Sequence, residues 1–259
     1  MSETVGFWTK LCCIPKRLDG KIGIVTGCYI GAGLSIVGEV ARRGATVIMA
    51  SQDMDKAESV KIHLIEKYGV KNPDHLKTDI SCKEIIPCLT PIEAHQLVIE
   101  VINFASLMSI REFVKRIIET HKKLDFLINN ANTKSVKKYT TTNDGFEMTM
   151  GVNYFSSFLL TQLLLPLLLK GTSSRIINVC FRKHQHNHKI ANFLITPIFP
   201  SQWEMAQTVL YTVLTDNLVS GGYYKNCQLK ELPHLLRNSE ENKWLWNRTC
   251  ELIGLDCKR

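Results

Sequence analysis

The stretch from Lys21 to Gln52 constrains the fold more than any other part of the chain, because it combines an apolar strand, a glycine-rich turn, an amphipathic helix and a second apolar strand. We predict these elements at residues 22–25, 26–33, up to about 43, and 45–50. Glycines allow a tight bend and let the backbone approach a pyrophosphate, while the helix start offers unpaired N–H groups and a positive dipole end. The resulting βαβ unit predicts a dinucleotide site, with ordinary turn chemistry as the alternative.

The glycines of the turn are Gly27, Gly31 and Gly33, and farther along residues 125–132 read Asp-Phe-Leu-Ile-Asn-Asn-Ala-Asn. Together these two motifs resemble the short-chain dehydrogenase/reductase family. Further motifs continue the resemblance in order: Thr-Asp-Ile at 78–80, Asp-Gly-Phe-Glu at 144–147, Val-Asn at 152–153 and Arg-Ile-Ile-Asn-Val at 175–179. Within the family the chain is most similar to the retinol dehydrogenase group. The resemblance covers most of residues 18–192 and 202–255.

The length and composition suit one α/β domain spanning residues 1–259. With 45% hydrophobic and 22% charged residues the chain can bury a large core. Its alternating strands and helices predict a Rossmann-like doubly wound parallel sheet. Residues 81–109 exceed the length usual in the family and contain Pro87 and Pro91, so we predict an insertion there. Beyond the βαβ unit we predict helices at 56–68, 110–122 and 144–169, and strands near 75–77, 126–129 and 175–179.

The C-terminal part departs from the family. Relatives continue after Thr196 with a sixth strand and a substrate-covering loop, whereas here residues 197–200 lead almost directly to a segment, 204–208, that resembles a later helix. The usual sixth strand is therefore predicted to be missing. Its loss exposes an edge beside the fifth strand and leaves the predicted last strand, at 222–224, without its usual neighbour.

The resemblance implies that the glycine turn binds a nicotinamide dinucleotide. An acid at the end of the second strand, ~20 residues beyond the glycines, selects NAD through the ribose 2′-hydroxyl, whereas a nearby basic residue admits the 2′-phosphate of NADP. Ser51 stands at this position, and Gln52 replaces the Arg usual in the retinol group. Because no acid is present there, NADP is favoured over NAD. The alternative is that both residues simply begin a loop.

The family's other cofactor contacts are carried over residue by residue. An acid after the third strand contacts the adenine edge, which is the role the resemblance implies for Asp79; alternatively, Asp79 caps the next helix. The family Lys that holds the nicotinamide ribose corresponds to Lys189. The full set of implied cofactor contacts is Gly27, Ile30, Gly31, Gly33, Ser51, Gln52, Asp79, Asn129, Ala131 and Lys189.

The catalytic residues of the family are only partly present. Its reaction uses a Tyr as proton donor or acceptor, a Lys four residues later, a Ser that orients the substrate oxygen and an Asn that holds a relay water. Asn153 matches the Asn, and Lys189 matches the Lys. Gln185 stands at the Tyr position, and Cys180-Phe181 stand where relatives have Ser-Ser. A carboxamide does not donate a proton as a phenol does, so we predict very low turnover.

Three histidines, His184, His186 and His188, alternate with other residues beside Gln185. A His has a suitable pKa for a general acid, and the pattern also suggests a metal site. No cluster of Asp, Glu or Cys stands close in sequence to complete a ligand set, so we predict no metal. The remaining interpretation is a solvated polar loop.

Composition limits the partners and the location. The net charge of +8 is dispersed and not interleaved with aromatics, so we expect no nucleic-acid partner. The nine cysteines lack C-x-x-C spacing, which favours reduced thiols in a cytoplasmic protein. The apolar stretches 97–107 and 158–169 are shorter than the ~20 residues of a spanning helix. We therefore expect helices there, no membrane span, and at most peripheral contact with a membrane.

Three functions remain open. The first is an NADP-dependent oxidoreductase that acts on a lipophilic alcohol or carbonyl compound such as a retinoid or steroid. Such an enzyme could form a homo-oligomer. The second is a pseudoenzyme that binds nucleotide or a protein partner, which the lost Tyr and Ser favour. The third is a truncated product without a stable fold, which the missing strand suggests.

Overall fold

Five parallel strands form the central sheet of the computed structural model, which describes residues 10–29, 31–76, 83–133, 138–180, 202–232 and 238–256. In chain order the strands are β1 (Ile22–Thr26), β2 (Thr46–Ser51), β3 (Leu97–Val101), β4 (Phe126–Asn129) and β5 (Arg175–Asn178). Their order across the sheet is β3-β2-β1-β4-β5. The order therefore reverses between β1 and β4, which opens a crevice at the carboxyl ends of those two strands.

Helices cover both faces of the sheet. They are α1 (Ala32–Ala41), α2 (Met54–Tyr68), α3 (Leu107–Thr120), α4 (Met148–Leu168), α5 (Gln202–Leu214) and α6 (Ser239–Leu252). Neighbouring residues of a strand face opposite sides, so Val25 packs with α1, α2 and α5, whereas Ile24 packs with α3 and α4. A parallel sheet buried on both faces is built from continuous apolar runs. The predicted doubly wound α/β fold is confirmed.

The third strand of the sheet is β3, and the strand predicted near residues 75–77 was wrong at the two described positions, 75 and 76. His75 lies in a turn, where its backbone N–H donates to the carbonyl oxygen of Asn72 at 3.1 Å. β3 instead pairs with β2 along its whole length. The helix expected over residues 97–107 was also wrong, because the apolar and β-branched side chains of Leu97–Val101 suit a strand.

β3 and the start of α3 lie within residues 81–109, where an insertion was predicted. Two short 3-10 turns, Lys83–Cys88 and Ala94–Gln96, precede the strand. The Gln96 side chain donates to the carbonyl oxygens of Ala41 and Ala45, at 2.9 and 3.2 Å. These bonds fix the entry of β3 beside the end of α1.

The last two strands form a separate hairpin. β6 (Tyr223–Lys225) pairs with the antiparallel β7 (Gln228–Lys230) through a two-residue turn. Both turn residues, Asn226 and Cys227, have positive φ angles, 54° and 55°, as such hairpin turns require. The strand predicted at 222–224 thus forms, but it does not join the central sheet. Among the described strands β5 has only β4 as a neighbour, which fits the predicted absence of a sixth strand.

One helix among the described residues is long and apolar enough, by length and composition, to cross a membrane: α4, with a mean hydropathy of 1.3. Its side chains Leu159, Leu160 and Leu164 are fully buried in the cluster that covers one face of the sheet. α4 is therefore packed as a core helix of the fold. A π-helical turn, Gly151–Phe155, lies near its start.

The cysteines differ from one another in their state. The free cysteines of the described residues are Cys12, Cys28, Cys88, Cys180 and Cys227. Cys13 and Cys250 are disulfide-bonded, so the expectation of reduced thiols was wrong for these two. Sequence spacing does not show which thiols the fold brings together.

Candidate nucleotide-binding site

A buried threonine joins the two loops at the crevice between β1 and β4. The Thr26 hydroxyl accepts hydrogen bonds from the backbone N–H groups of Asn130 and Ala131, at 2.9 and 2.8 Å. It also donates to the carbonyl oxygen of Ile128 at 3.3 Å. These bonds hold the loop after β4 against the glycine turn after β1.

The Asn130 side chain makes the same connection from the other loop. Its amide nitrogen donates to the carbonyl oxygens of Thr26 and Gly27, at 3.1 and 3.0 Å. Neither Thr26 nor Asn130 was among the predicted site residues. The available signal was their position, directly before Gly27 and between Asn129 and Ala131.

Two of the three glycines are needed for close packing. A Cβ atom on Gly33 would lie 2.1 Å from the carbonyl oxygen of Gly27. One on Gly27, whose φ is +63°, would lie 2.8 Å from the Cα atom of Ala131. Gly27 and Gly33 therefore let the turn close on itself and on the loop after β4.

Gly31 has a different environment. Its φ of +67° favours glycine, but a Cβ atom there would find no atom closer than 3.8 Å, in the side chain of Gln202. Gly31 is also the N-cap of α1, and no side chain caps that helix start. Ile30 lies outside the described residues. The N-cap residue therefore supplies no side-chain acceptor to the backbone N–H groups of the first turn.

These features fit a dinucleotide phosphate. First-turn N–H groups without a side-chain cap from Gly31 and the positive end of the α1 dipole attract an anion, and the nearest atoms to a Cβ on Gly31 belong to the side chain of Gln202 and not to the backbone. Two buried acceptors, Oδ1 of Asn129 and of Asn130, have no hydrogen-bond partner among the described residues. Ribose hydroxyls and a carboxamide are donors that suit such acceptors.

The end of β2 carries the residues expected to choose the cofactor. Ser51 is 1% exposed, and its hydroxyl donates to the Asp53 carbonyl oxygen and accepts from the Asp53 N–H, at 2.8 and 3.1 Å. Its hydrogen-bonding groups are thus used inside the loop. The Gln52 side chain is exposed beside it. The structure places no acid at the last position of β2.

The first acid after β2 is Asp53, which caps α2. One carboxylate oxygen accepts the backbone N–H of Lys56 at 3.0 Å, and the other lies 2.7 Å from the Lys56 ammonium. These two bonds hold the pKa of the Asp53 carboxyl below its usual value. The same ammonium lies 5.8 Å from the centre of the Tyr29 ring, in the glycine turn.

The predicted catalytic Asn153 lies in the π-helical turn of α4. Its side chain accepts the backbone N–H of Thr133 at 2.7 Å and donates to the Thr133 carbonyl oxygen at 3.2 Å. Asn153 therefore holds the chain that follows Ala131. Asn129, at the end of β4, donates to the side chains of Thr161 and Asn178, at 2.9 and 2.8 Å.

The remaining predicted catalytic residues are only partly described. Cys180, at the family Ser position, is exposed and follows β5. Phe181, Gln185, Lys189 and the three histidines at 184, 186 and 188 lie outside the described residues. Where the chain is described, no group of three His, Cys, Asp or Glu side chains is arranged to hold a metal.

Asp79 also lies outside the described residues, and His75 and Leu76, at the start of the strand it was predicted to end, lie in a turn. The residue just beyond the observed third strand is Ile102, whose backbone N–H donates to the Ser51 carbonyl oxygen at 2.9 Å, and Asn103 follows it. Asn103 accepts the Ala105 N–H at 2.9 Å. The apolar run that forms β3, followed by this Asn, was the signal that could have located the strand end.

Comparisons with known proteins agree with this arrangement. A family model described as "short chain dehydrogenase" matches residues 83–187. Retinol dehydrogenase 11 of Mus musculus is 29% identical over 309 aligned positions, covering 95% of this chain and 90% of that protein. Retinol dehydrogenase 13 of Homo sapiens is 37% identical over 177 positions, covering 68% of this chain and 46% of that protein.

The first of these alignments is longer than the chain itself, so the mouse protein contains residues with no counterpart here. This agrees with the predicted deletions. A crystal structure of an uncharacterized protein from Mycobacterium Paratuberculosis superposes with a TM-score of 0.67 and 21% identity, covering 97% of this chain and 100% of the other. That likeness supports the fold alone.

Proposed function

Since this chain belongs to the short-chain dehydrogenase/reductase family, in its retinol dehydrogenase-like group, we propose that it binds NADP(H) at the glycine turn. By descent it is an oxidoreductase for a lipophilic alcohol or carbonyl compound, such as a retinoid or steroid. The observation that carries the proposal is the start of α1 at Gly31, which has no side-chain cap and lies beside the loop that Thr26 holds in place.

The proposed cofactor contacts follow from the strand ends. Gly27, Gly31 and Gly33 bring backbone N–H groups to the pyrophosphate. Asn129 and Ala131 line the crevice where the nicotinamide half is expected. When bound, the cofactor supplies or accepts a hydride. NADP is preferred to NAD because the last residue of β2 is Ser51, which is neutral and already bonded within its loop.

The chain's own groups have separate tasks in this proposal. Asn153 positions the loop after β4 through the backbone of Thr133. Lys189 is assigned to the nicotinamide ribose, as its match to the family implies. Gln185, at the proton-donor position, lacks a group that gives up a proton near neutral pH.

A second candidate function follows from that residue. A protein that keeps the nucleotide site but has Gln at the donor position and Cys180 at the Ser position binds NADP(H) with little turnover. General acid–base catalysis contributes roughly 10²–10⁴-fold to a rate, so its loss leaves a trace of activity only if substrate and cofactor are still well aligned.

Turnover of all-trans-retinal with NADPH separates the two functions. We expect very slow NADPH oxidation by the unmodified chain and little recovery in Gln185→Tyr, because the substrate-covering loop of relatives is missing. Fast oxidation by the unmodified chain would establish the oxidoreductase. If that activity vanished in His184→Ala or His188→Ala, the proton donor would be a histidine.

A further inference from the structure

We propose that Lys56 selects the cofactor by binding the 2′-phosphate of NADP(H), in place of the Arg that Gln52 has replaced. This inference rests on the proposed nucleotide site and names the residue that would decide between its two cofactors. In dinucleotide folds the adenine ribose lies at the end of the second strand, where an acid favours NAD and a cation favours NADP. Lys56 is the first cationic residue after Ser51 in the sequence.

The position of the Lys56 ammonium supports this role. It lies 5.8 Å from the centre of the Tyr29 ring, and Tyr29 belongs to the glycine turn after β1. Lys56 itself belongs to the first turn of α2, which follows β2. The ammonium therefore stands between the two segments that border the adenine ribose in this fold, and the aromatic ring attracts it there.

None of the side chains at positions 51–55 offers a positive charge to a 2′-phosphate. The Ser51 hydroxyl is bonded to the Asp53 backbone, and Gln52 carries no charge. Asp53 is the first acid after β2, but its two oxygens are bonded to the backbone and the ammonium of Lys56. Asp55 contributes a further negative charge in the first turn of α2.

A Lys ammonium has three donors, so Lys56 can keep its bond to Asp53 and donate another to a phosphate oxygen. Its side chain is 66% exposed, which leaves it accessible to a ligand. Without the Lys56 ammonium, one oxygen of the Asp53 carboxylate loses its partner and can bond the ribose 2′-hydroxyl of NAD, as the acid of NAD-specific folds does. One side chain thus attracts NADP and masks the acid that would favour NAD.

The test is Lys56→Gln, titrated with NADPH and NADH by fluorescence at two ionic strengths. We expect NADPH affinity to fall about tenfold, as for the loss of one charge-assisted hydrogen bond, while NADH binding is unchanged or tighter. The salt dependence of NADPH binding should also decrease. Helix α2 should remain folded, because the Asp53 cap uses the backbone N–H of residue 56.

Lys67→Gln is the matched control, since Lys67 also lies on α2 with its ammonium 5.0 Å from a tyrosine ring, that of Tyr68. Its removal should leave the NADPH preference intact. An unchanged preference in Lys56→Gln, or an equal loss in both variants, would overturn the role of Lys56. Failure of the unmodified chain to bind either nucleotide would instead reject the proposed function.

Asp53→Asn provides an independent second variant. Asn is a good N-cap, so the helix start is kept, while the ion pair and the negative charge are removed. We expect NADPH to bind more tightly, because the phosphate no longer meets the repulsion of the carboxylate. Weaker NADPH binding in this variant would contradict the proposal.

Discussion

At the scale of single residues, the three glycines of the turn differ in what they do. Gly27 and Gly33 must be glycine, because an added Cβ atom would lie 2.8 and 2.1 Å, respectively, from backbone atoms. A Cβ atom on Gly31 would meet only the side chain of Gln202, at 3.8 Å, so this position lacks the backbone clash that fixes the other two glycines. The sequence predicted all three, but it did not predict Thr26 and Asn130, since these residues meet across 104 positions of chain.

We predict that Gly31→Ala weakens NADPH binding by about tenfold or more, because the added methyl group and the strained backbone, worth about 1–2 kcal/mol, both act where the pyrophosphate approaches. Gly20→Ala is the matched control. Gly20 has a φ of +69° and no atom within 4 Å of an added Cβ, and it lies before β1, at the opposite end from the site. Equal NADPH affinity in Gly31→Ala and the unmodified protein, measured by calorimetry, would contradict this placement.

At the scale of elements, the unit β1–α1–β2 was predictable from the spacing of its apolar residues. That spacing changes from the pattern of a strand to that of a helix and back within about 30 residues. β3 was not, because a short apolar run followed by a helix reads equally well as part of that helix. Only pairing with β2 decides between the two, and that pairing joins segments about 50 residues apart.

The starts of β1 and β4 are tied by a buried carboxylate. Asp125 accepts the Ile22 N–H at 3.0 Å and lies 2.8 Å from the Lys21 ammonium and 3.3 Å from that of Lys123. Burial raises the pKa of Asp125, but these partners lower it more, so the net pKa lies below the usual value. The ionised form is therefore favoured in the folded state.

The lowered pKa predicts that ionised Asp125 stabilises the folded protein fully at pH values above the unfolded pKa of about 3.9. This stabilisation is lost as the pH falls through the lower pKa of the folded state. In urea unfolding, Asp125→Asn should be less stable than the unmodified protein at pH 7, with the difference shrinking toward pH 3. Asp216→Asn is the control, because Asp216 is 81% exposed where it pairs with Lys16, and solvent screens that pair. A difference for Asp125→Asn that does not change with pH would exclude this linkage.

At the scale of the whole molecule, the predicted loss of the sixth strand leaves β5 at the edge of the described sheet. The C-terminal part is nevertheless integrated, since α5 buries Ala206, Leu210 and Leu214 in the cluster on one face. α6 has one face against the fold and one in solvent: Trp246 contacts the Phe158 ring, with centroids 4.7 Å apart, while Trp244 is 67% exposed.

Leu210→Ala should therefore destabilise the whole protein by about 2–5 kcal/mol, as expected for a buried leucine truncated in a close-packed core. Leu252→Ala, in α6, is the control, because Leu252 is 40% exposed and should cost far less. Urea unfolding followed by circular dichroism measures both variants. A negligible effect of Leu210→Ala would support the hypothesis that the C-terminal half lacks a stable fold.

The central claim, a nucleotide site at the glycine turn that prefers NADP, is tested most directly by titrating the full-length protein with NADPH and NADH under identical conditions. We predict saturable binding of both, with the lower Kd for NADPH. The observations behind this prediction are the start of α1 without a side-chain cap, the neutral Ser51 at the end of β2 and the Lys56 ammonium beside Tyr29. No binding of either nucleotide at millimolar concentration to the folded protein would contradict the site, and tighter binding of NADH would contradict its preference.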